Sequence, residues 1–155
     1  ARPTRFWIDK DGQKWRSMGN ICWFTNLEIK KRYEDLVLTE FYEGNKDNYQ
    51  KYDNYDAIEV SAVKDIPMDY KGIMGVPITF VNSHSPDQFE ILGMTDRQNT
   101  SGLRTKKYTK EDTPKFNDLN ARSAIKLEDG SYKSVYARIL IRNKKPISRR
   151  EMLGF

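Results

Sequence analysis

Asp65-Ile-Pro-Met-Asp-Tyr-Lys-Gly-Ile-Met-Gly-Val-Pro-Ile-Thr-Phe-Val-Asn-Ser-His-Ser-Pro-Asp-Gln-Phe-Glu-Ile-Leu-Gly93 is the stretch from which the fold is read. It holds three of the six prolines and three of the nine glycines, so several turns are fixed within a short span. Between them lie Ile66, Met68, Ile73, Met74, Val76, Ile78, Phe80 and Val81, an apolar content that a disordered linker lacks. The combination predicts a turn-rich piece of a folded core. Pro77 opens either a short helix over 77–83 or leaves 76–81 as a strand. Ser85-Pro86 turns the chain into a strand over 89–92.

Outward from this centre, the two ends carry hairpin signals. Residues 5–9 and 13–18 are aromatic-rich and flank Lys10-Asp11-Gly12, and Asp-Gly between such runs predicts a tight β-turn. Ile21-Cys-Trp-Phe-Thr25 reads as a third strand. Ala124–Glu128 and Ser134–Arg142 flank Asp129-Gly130 as a second hairpin or a wide ribbon, with apolar residues alternating through 135–141. Residues 57–60 read as a short strand. Residues 28–43 read as a turn or short helix followed by a strand. Residues 44–56 form a loop whose Tyr49, Tyr52 and Tyr55 either cover a core edge or face a base. Residues 95–123 show no apolar period, and a loop of this length in a folded domain is functional or disordered. The fold class expected is α+β: mostly antiparallel sheet with few short helices and long polar loops. The segments are terminal strands over 1–25, a main region over 26–145 and a basic tail over 146–155, expected to form one unit.

The 155 residues suffice for one domain, and 19 aromatics compensate for a hydrophobic content of only 37%. No apolar run approaches the ~18 residues of a membrane span, and no signal-peptide pattern is present. One cysteine, Cys22, gives no internal disulfide, and a reducing cytoplasm is the expected location. The first residue is Ala1, which reads either as a piece of a longer chain or as removal of an initiator Met. The formal net charge is +5, unevenly spread. Residues 26–93 hold 7 basic and 13 acidic side chains, whereas residues 94–150 hold 15 basic and 6 acidic. A basic block of this kind is the footprint of a polyanion binder, or else an unevenly charged soluble surface.

Gly75-Val-Pro-Ile-Thr-Phe-Val81 and Ser85-Pro-Asp-Gln-Phe-Glu-Ile-Leu-Gly93 resemble the carboxy-terminal part of EcoRI-type adenine-specific DNA methyltransferases. Three further pieces resemble that family in the same order: 20–27, 51–58 running into 64–70, and 136–144. The resemblance implies a target-recognition region of a restriction-modification methyltransferase, with double-stranded DNA as partner. It implies that residues 1–25 are the last strands of a catalytic sheet, while their pattern alone equally suits a free-standing meander. For the full-length parent it implies S-adenosylmethionine as cofactor and an amino-terminal catalytic half. The long basic segment 95–134 departs from what the resemblance leads one to expect.

The family's amino-methyltransfer motif is Asn or Asp, Pro, Pro, then an aromatic residue, whose carbonyl-type acceptors hold the target amine. No Pro-Pro pair occurs in the sequence, and no Gly-x-Gly follows a strand. No catalytic residue is therefore assigned, and this chain alone is expected to be inactive. His84 is the single histidine, which leaves a Ser-His-Asp triad without support. No zinc-ligand spacing exists, so no metal residue is assigned. The candidate DNA contacts are Arg97, Arg104, Lys106, Lys107, Lys110 and Lys115, with Gln98 and Asn99, and beside them Asn117, as base readers; cations bind phosphates, while Gln and Asn amides match base edges, the other reading being a solvated surface loop. Two other readings stand beside this one: a DNA-binding module without an enzyme, and a protein-interaction domain docking through the acidic central block.

Overall fold

Ile139, Leu140 and Ile141 are apolar at three successive positions, and the strand they occupy is covered on both faces. In the computed structural model this strand, β10 (Ile139–Asn143), runs antiparallel between β6 (Ile73–Val76) and β7 (Phe89–Met94). A shorter strand, β5 (Ala57–Glu59), pairs in parallel with β6, so the order is β5-β6-β10-β7. The sheet is mixed, antiparallel in two of its three pairings. Ile139 and Ile141 enter one apolar cluster with Ile58, Ile66, Met74, Val76, Phe80 and Phe89. Leu140 points the other way, into Tyr52, Tyr55, Ala57, Ile125 and Val135. Strand alternation thus supplies a core to each face.

The structure describes residues 34–154 and, of the first 33, only the backbone of four two-residue strands. The chain divides into two units, Ala1–Arg32 and Tyr33–Phe155. In the first, β1 (Pro3–Thr4) pairs antiparallel with β4 (Ile21–Cys22). There β2 (Asp9–Lys10) also pairs with β3 (Gln13–Lys14), Lys10 opposite Gln13, in keeping with the first expected hairpin. Asp11-Gly12 and the rest of the strands expected over 5–9, 13–18 and 21–25 lie outside the described residues, as do residues 28–33 of the expected turn or short helix.

In the second unit the central stretch is core, as its apolar content predicts. Ile66, Met68, Met74, Val76 and Phe80 are buried, whereas Ile78 and Val81 are exposed. Pro77 ends β6 and precedes a 3-10 helix at Ile78–Asn82, so the helical alternative is the one adopted. Gly75 has a physical reason to lack a side chain: a Cβ there would meet the Tyr52 ring at under 3 Å.

The strand expected within 36–42 does not form. Residues 34–39 have no regular structure, and only Glu40 makes a single bridge, to Pro67. Side chains take the place of a neighbouring strand. Gln88 accepts from the Leu36 N–H at 2.6 Å and donates to its carbonyl at 2.9 Å. Asp69 accepts from the N–H groups of Tyr42 and Glu43 at 2.6 and 2.9 Å. These four backbone groups are satisfied without a ladder.

Tyr49, Tyr52 and Tyr55 are buried, which decides their role: they form core and are closed to a base. The second Asp-Gly hairpin forms from β8 (Ala124–Lys126) and β9 (Tyr132–Ser134), with Gly130 at φ 84° in the turn. Residues 135–138 then leave regular structure before β10. A short α1 (Phe116–Ala121) precedes β8, and α2 (Arg149–Met152) lies in the basic tail. It starts at a capping box in which Glu151 N–H donates to Ser148 Oγ at 3.1 Å and Ser148 N–H donates to Glu151 Oε2 at 2.8 Å.

Candidate nucleic-acid interface

The long basic segment leaves the sheet at Thr95, which is buried. Its N–H donates to the Arg138 carbonyl at 3.0 Å, and its Oγ1 accepts from the Arg138 N–H at 3.0 Å. The Arg138 guanidinium turns inward, where Nε and Nη2 donate to Glu59 Oε1 at 2.9 and 2.8 Å. Tyr52 donates to the other oxygen of the same carboxylate. Burial disfavours the charged form of Arg138, but the Glu59 bonds outweigh it and hold the guanidinium's pKa above its ordinary value. This ion pair ties the start of the segment to β5.

Asp96 then caps a turn. Its carboxylate accepts from the Thr100 N–H at 3.1 Å and from the Thr100 hydroxyl. Asn99 stands at φ 53°, the left-handed region that asparagine tolerates. Its side-chain oxygen accepts from the Arg104 N–H at 3.0 Å. The Arg104 guanidinium folds back over the turn and donates to the carbonyls of Asp96, Arg97 and Asn120, the last at 2.7 Å. One side chain thereby joins the beginning of the segment to the end of α1.

Asn54, fully buried, makes the second anchor. Its backbone carbonyl accepts from the Thr105 N–H at 2.9 Å. Its amide nitrogen donates to the carbonyls of Leu119 and Arg122 at 3.2 and 2.8 Å, and its amide oxygen accepts from the Ala124 N–H at 2.9 Å. Next to it, Asp53 accepts from the Tyr108 hydroxyl at 2.5 Å and from Lys106 Nζ at 3.1 Å. Burial on its own would raise the Asp53 carboxyl, but these two donors and the Lys106 charge hold it below the usual carboxylate range. Lys106 also lies over the rings of Tyr108 and Tyr132, at 5.0 and 5.6 Å from their centroids. Tyr108 N–H donates to Asn120 Oδ1 at 2.8 Å, and Asn120 Nδ2 donates back to the Tyr108 carbonyl at 2.8 Å. Tyr108, Leu119 and Ala124 form a small apolar cluster beneath.

The eight residues singled out from the sequence thus divide. Arg104, Lys106 and Asn99 have their side chains engaged in holding the segment together. Arg97, Gln98, Lys107, Lys110 and Lys115 are exposed, and none of their side chains makes a hydrogen bond or ion pair among the described residues. Lys107 and Lys110 come together along an open groove of about 560 Å³ with Tyr108, Phe116, Asn117 and Asn120. Arg97 and Gln98 lie on the Asp96 turn, which Arg104 connects to Asn120 on that groove. Lys115 is the residue before α1. Sequence reasoning missed the anchors Asp53, Asn54, Tyr108 and Asn120, whose partners are far away along the chain.

A flexible polar segment has here been made into a fixed scaffold by buried hydrogen bonds, and cations remain on its outside. That arrangement suits a polyanion: charge is presented without the entropy of ordering a loop. Among the described residues no group of His, Cys, Asp and Glu is placed to hold a metal ion, and no helix is long and apolar enough to cross a membrane.

Comparison with known proteins comes to the same region of sequence space. Residues 1–144 match the family described as adenine-specific methyltransferase EcoRI. A Type II methyltransferase of Mycoplasma genitalium is 36% identical over 148 residues, 92% of this chain and 42% of the relative. The Type II methyltransferase M.EcoRI of Escherichia coli is 53% identical over 85 residues, 55% of this chain and 26% of that protein. A Type II methyltransferase of Mycoplasma pneumoniae is 47% identical over 85 residues, 55% of this chain and 27% of that protein. The chain therefore spans less than half the length of each of these relatives. No solved structure matches.

Proposed function

The chain belongs to the family of EcoRI-type adenine-specific methyltransferases, and from that premise we propose that it is the DNA-recognition part of a site-specific N6-adenine methyltransferase of a restriction-modification system. The observation that carries this reading is the exposed set Arg97, Lys107, Lys110 and Lys115 on a segment locked by Asn54, Asp53 and Arg104. These four cations contact phosphates of duplex DNA. Gln98 and Asn117, exposed on the same segment, are the base readers in this reading. Arg104, Lys106 and Asn99 act by shaping the segment rather than by touching DNA.

Methyl transfer belongs to an amino-terminal catalytic half carrying the Asn/Asp-Pro-Pro-aromatic motif, to which residues 1–25 contribute the final strands. S-adenosylmethionine supplies the methyl group there. The described residues of this chain do not fit that cofactor. The parallel strands β5 and β6 are joined through a 3-10 turn at Val63–Asp65 rather than by a helix entered from a glycine-rich turn. Gly75 in β6 is packed against Tyr52 and offers no open cradle. In this reading the chain alone binds DNA, in the cytoplasm, and leaves methyl transfer to the catalytic half.

The test is titration of a fluorescent 20–30 base-pair duplex with the 155-residue chain at several salt concentrations. The logarithm of the association constant is expected to fall linearly with the logarithm of salt, with a slope near −0.9 for each phosphate neutralised. Absence of binding at ~50 mM salt, or binding indifferent to salt, overturns the reading.

A further inference from the structure

The β8–β9 hairpin continues past its last named pair. Ala124 faces Ser134, and Val135 N–H donates to the Ser123 carbonyl at 2.9 Å. The same register sets Arg122 opposite Tyr136, and the Arg122 guanidinium carbon lies 5.6 Å from the centroid of the Tyr136 ring. Val135 and Ser123 are buried, whereas Tyr136 and Arg122 are exposed. Tyr136 is 76% exposed, and it alone of the aromatic side chains among the described residues is exposed. Its hydroxyl donates to no described residue. The ring is therefore not held by a structural bond, and a cation steadies one edge of it.

The position of this pair connects it with the segment described above. The Arg122 carbonyl is fixed by Asn54, and Asn120, two residues earlier, receives the Arg104 guanidinium that also grips the Arg97 carbonyl. Arg97 and Arg122 make no ion pair with a described carboxylate. An exposed ring beside a cation without a carboxylate partner would be a poor surface for an apolar partner but a good one for a nucleotide, which offers a π-face and a phosphate together.

We infer that Tyr136, steadied by Arg122, stacks on a nucleobase that has lost a neighbour in the duplex stack. This rests on the DNA reading given above. Enzymes that act on a base must take it out of the stack, which leaves gaps and exposed ring faces beside it. A ring presented by a rigid hairpin, beside a cation for the flanking phosphate, fills such a gap.

The experiment compares an intact duplex with one carrying a single abasic site, each titrated with the chain. The wild-type chain is expected to bind the abasic duplex at least 5-fold more tightly. Tyr136→Ala is expected to erase that preference, a loss of about 5- to 150-fold on the abasic duplex from stacking of one base. Tyr136→Phe retains it, because stacking does not need the hydroxyl. The salt slope stays unchanged for both, whereas Arg122→Gln flattens it by about one phosphate contact. Since the ring is exposed, thermal unfolding of both tyrosine variants matches wild type. If the wild-type chain binds both duplexes with a salt-dependent slope but Tyr136→Ala binds each equally well as wild type, the stacking role is overturned and the DNA reading stands. If the wild-type chain binds neither, both fall.

Discussion

The side-chain oxygen of Asn54 accepts the backbone N–H of Ala124 at 2.9 Å, across 70 residues of chain. The same amide donates to two carbonyls at the end of α1, so one fully buried side chain closes the helix, starts β8 and borders the basic segment. Asn54→Ala leaves the Ala124 N–H and the Arg122 carbonyl without their partner, while the Leu119 carbonyl keeps the Arg122 N–H. A loss of roughly 3 kcal/mol in stability is expected, read as a lower midpoint in urea. Asn54→Asp keeps the acceptor for Ala124 but aims a carboxylate at the Leu119 and Arg122 carbonyls, and it should rescue nothing. A midpoint unchanged in the alanine variant would show that the segment is anchored elsewhere.

The Asp53–Tyr108 pair makes stability depend on acid. The carboxyl lies below its ordinary 3.8 in the folded chain, since Tyr108 and Lys106 together outweigh the effect of burial. Its contribution is therefore fully present above pH 3.8 and is lost as pH falls through the lower folded value. The pair weakens from the alkaline side too, because burial and then Asp53 raise the Tyr108 hydroxyl above its ordinary 10.0. Asp53→Asn should flatten the acid limb of a stability-against-pH curve measured by circular dichroism between pH 2 and 6. An acid limb identical to wild type would remove Asp53 from the account.

Gly75 and Tyr52 meet where β6 passes beneath the buried Glu59–Arg138 ion pair. A methyl group at position 75 collides with the Tyr52 ring, whose hydroxyl serves Glu59. Gly75→Ala is expected to cost about 2 kcal/mol through overpacking. A second substitution, Tyr52→Leu, should make the alanine far less costly than it is alone, so that the double-mutant cycle shows coupling. Strict additivity in that cycle would mean the contact is relieved elsewhere.

Much of the fold is legible in the sequence because local chemistry dictates it. Asp129-Gly130 turns the hairpin, Pro77 starts the 3-10 helix, and the unbroken Ile139–Ile141 run marks a strand covered on both faces. Other features are set by distant partners. Leu36 to Tyr42 has strand composition, yet Gln88 and Asp69 answer its backbone in place of a ladder, and nothing local distinguishes the two. Arg104 and Lys107 look alike in sequence, but one is spent on carbonyls that only the folded chain brings together. Ser148-Arg-Arg-Glu151 is different: the basic tail carries no expectation of order, yet a capping box of local spacing starts a helix there, a signal passed over in the sequence. The Arg122–Tyr136 pairing is likewise contained in the hairpin register once the turn is placed at Asp129-Gly130.

The cations of the basic segment should separate into two classes under mutation. Lys107, Lys110 and Lys115 have no partner among the described residues, so replacing all three by Gln removes charge from the surface and little else. Thermal stability should change by less than ~0.5 kcal/mol. The salt slope of duplex binding should flatten by about 2 to 3 units if each contacts one phosphate. Lys106 is paired with Asp53 and lies over two rings, so Lys106→Gln exposes Asp53 to an unbalanced environment. That variant should lower stability and loosen the segment while leaving the slope nearly intact. Its affinity loss would then come from disorder in the free chain, visible as faster amide exchange at Tyr108, whose N–H is held by Asn120. A slope flattened by Lys106→Gln as much as by the triple variant would place the ion pair itself against DNA and erase the distinction.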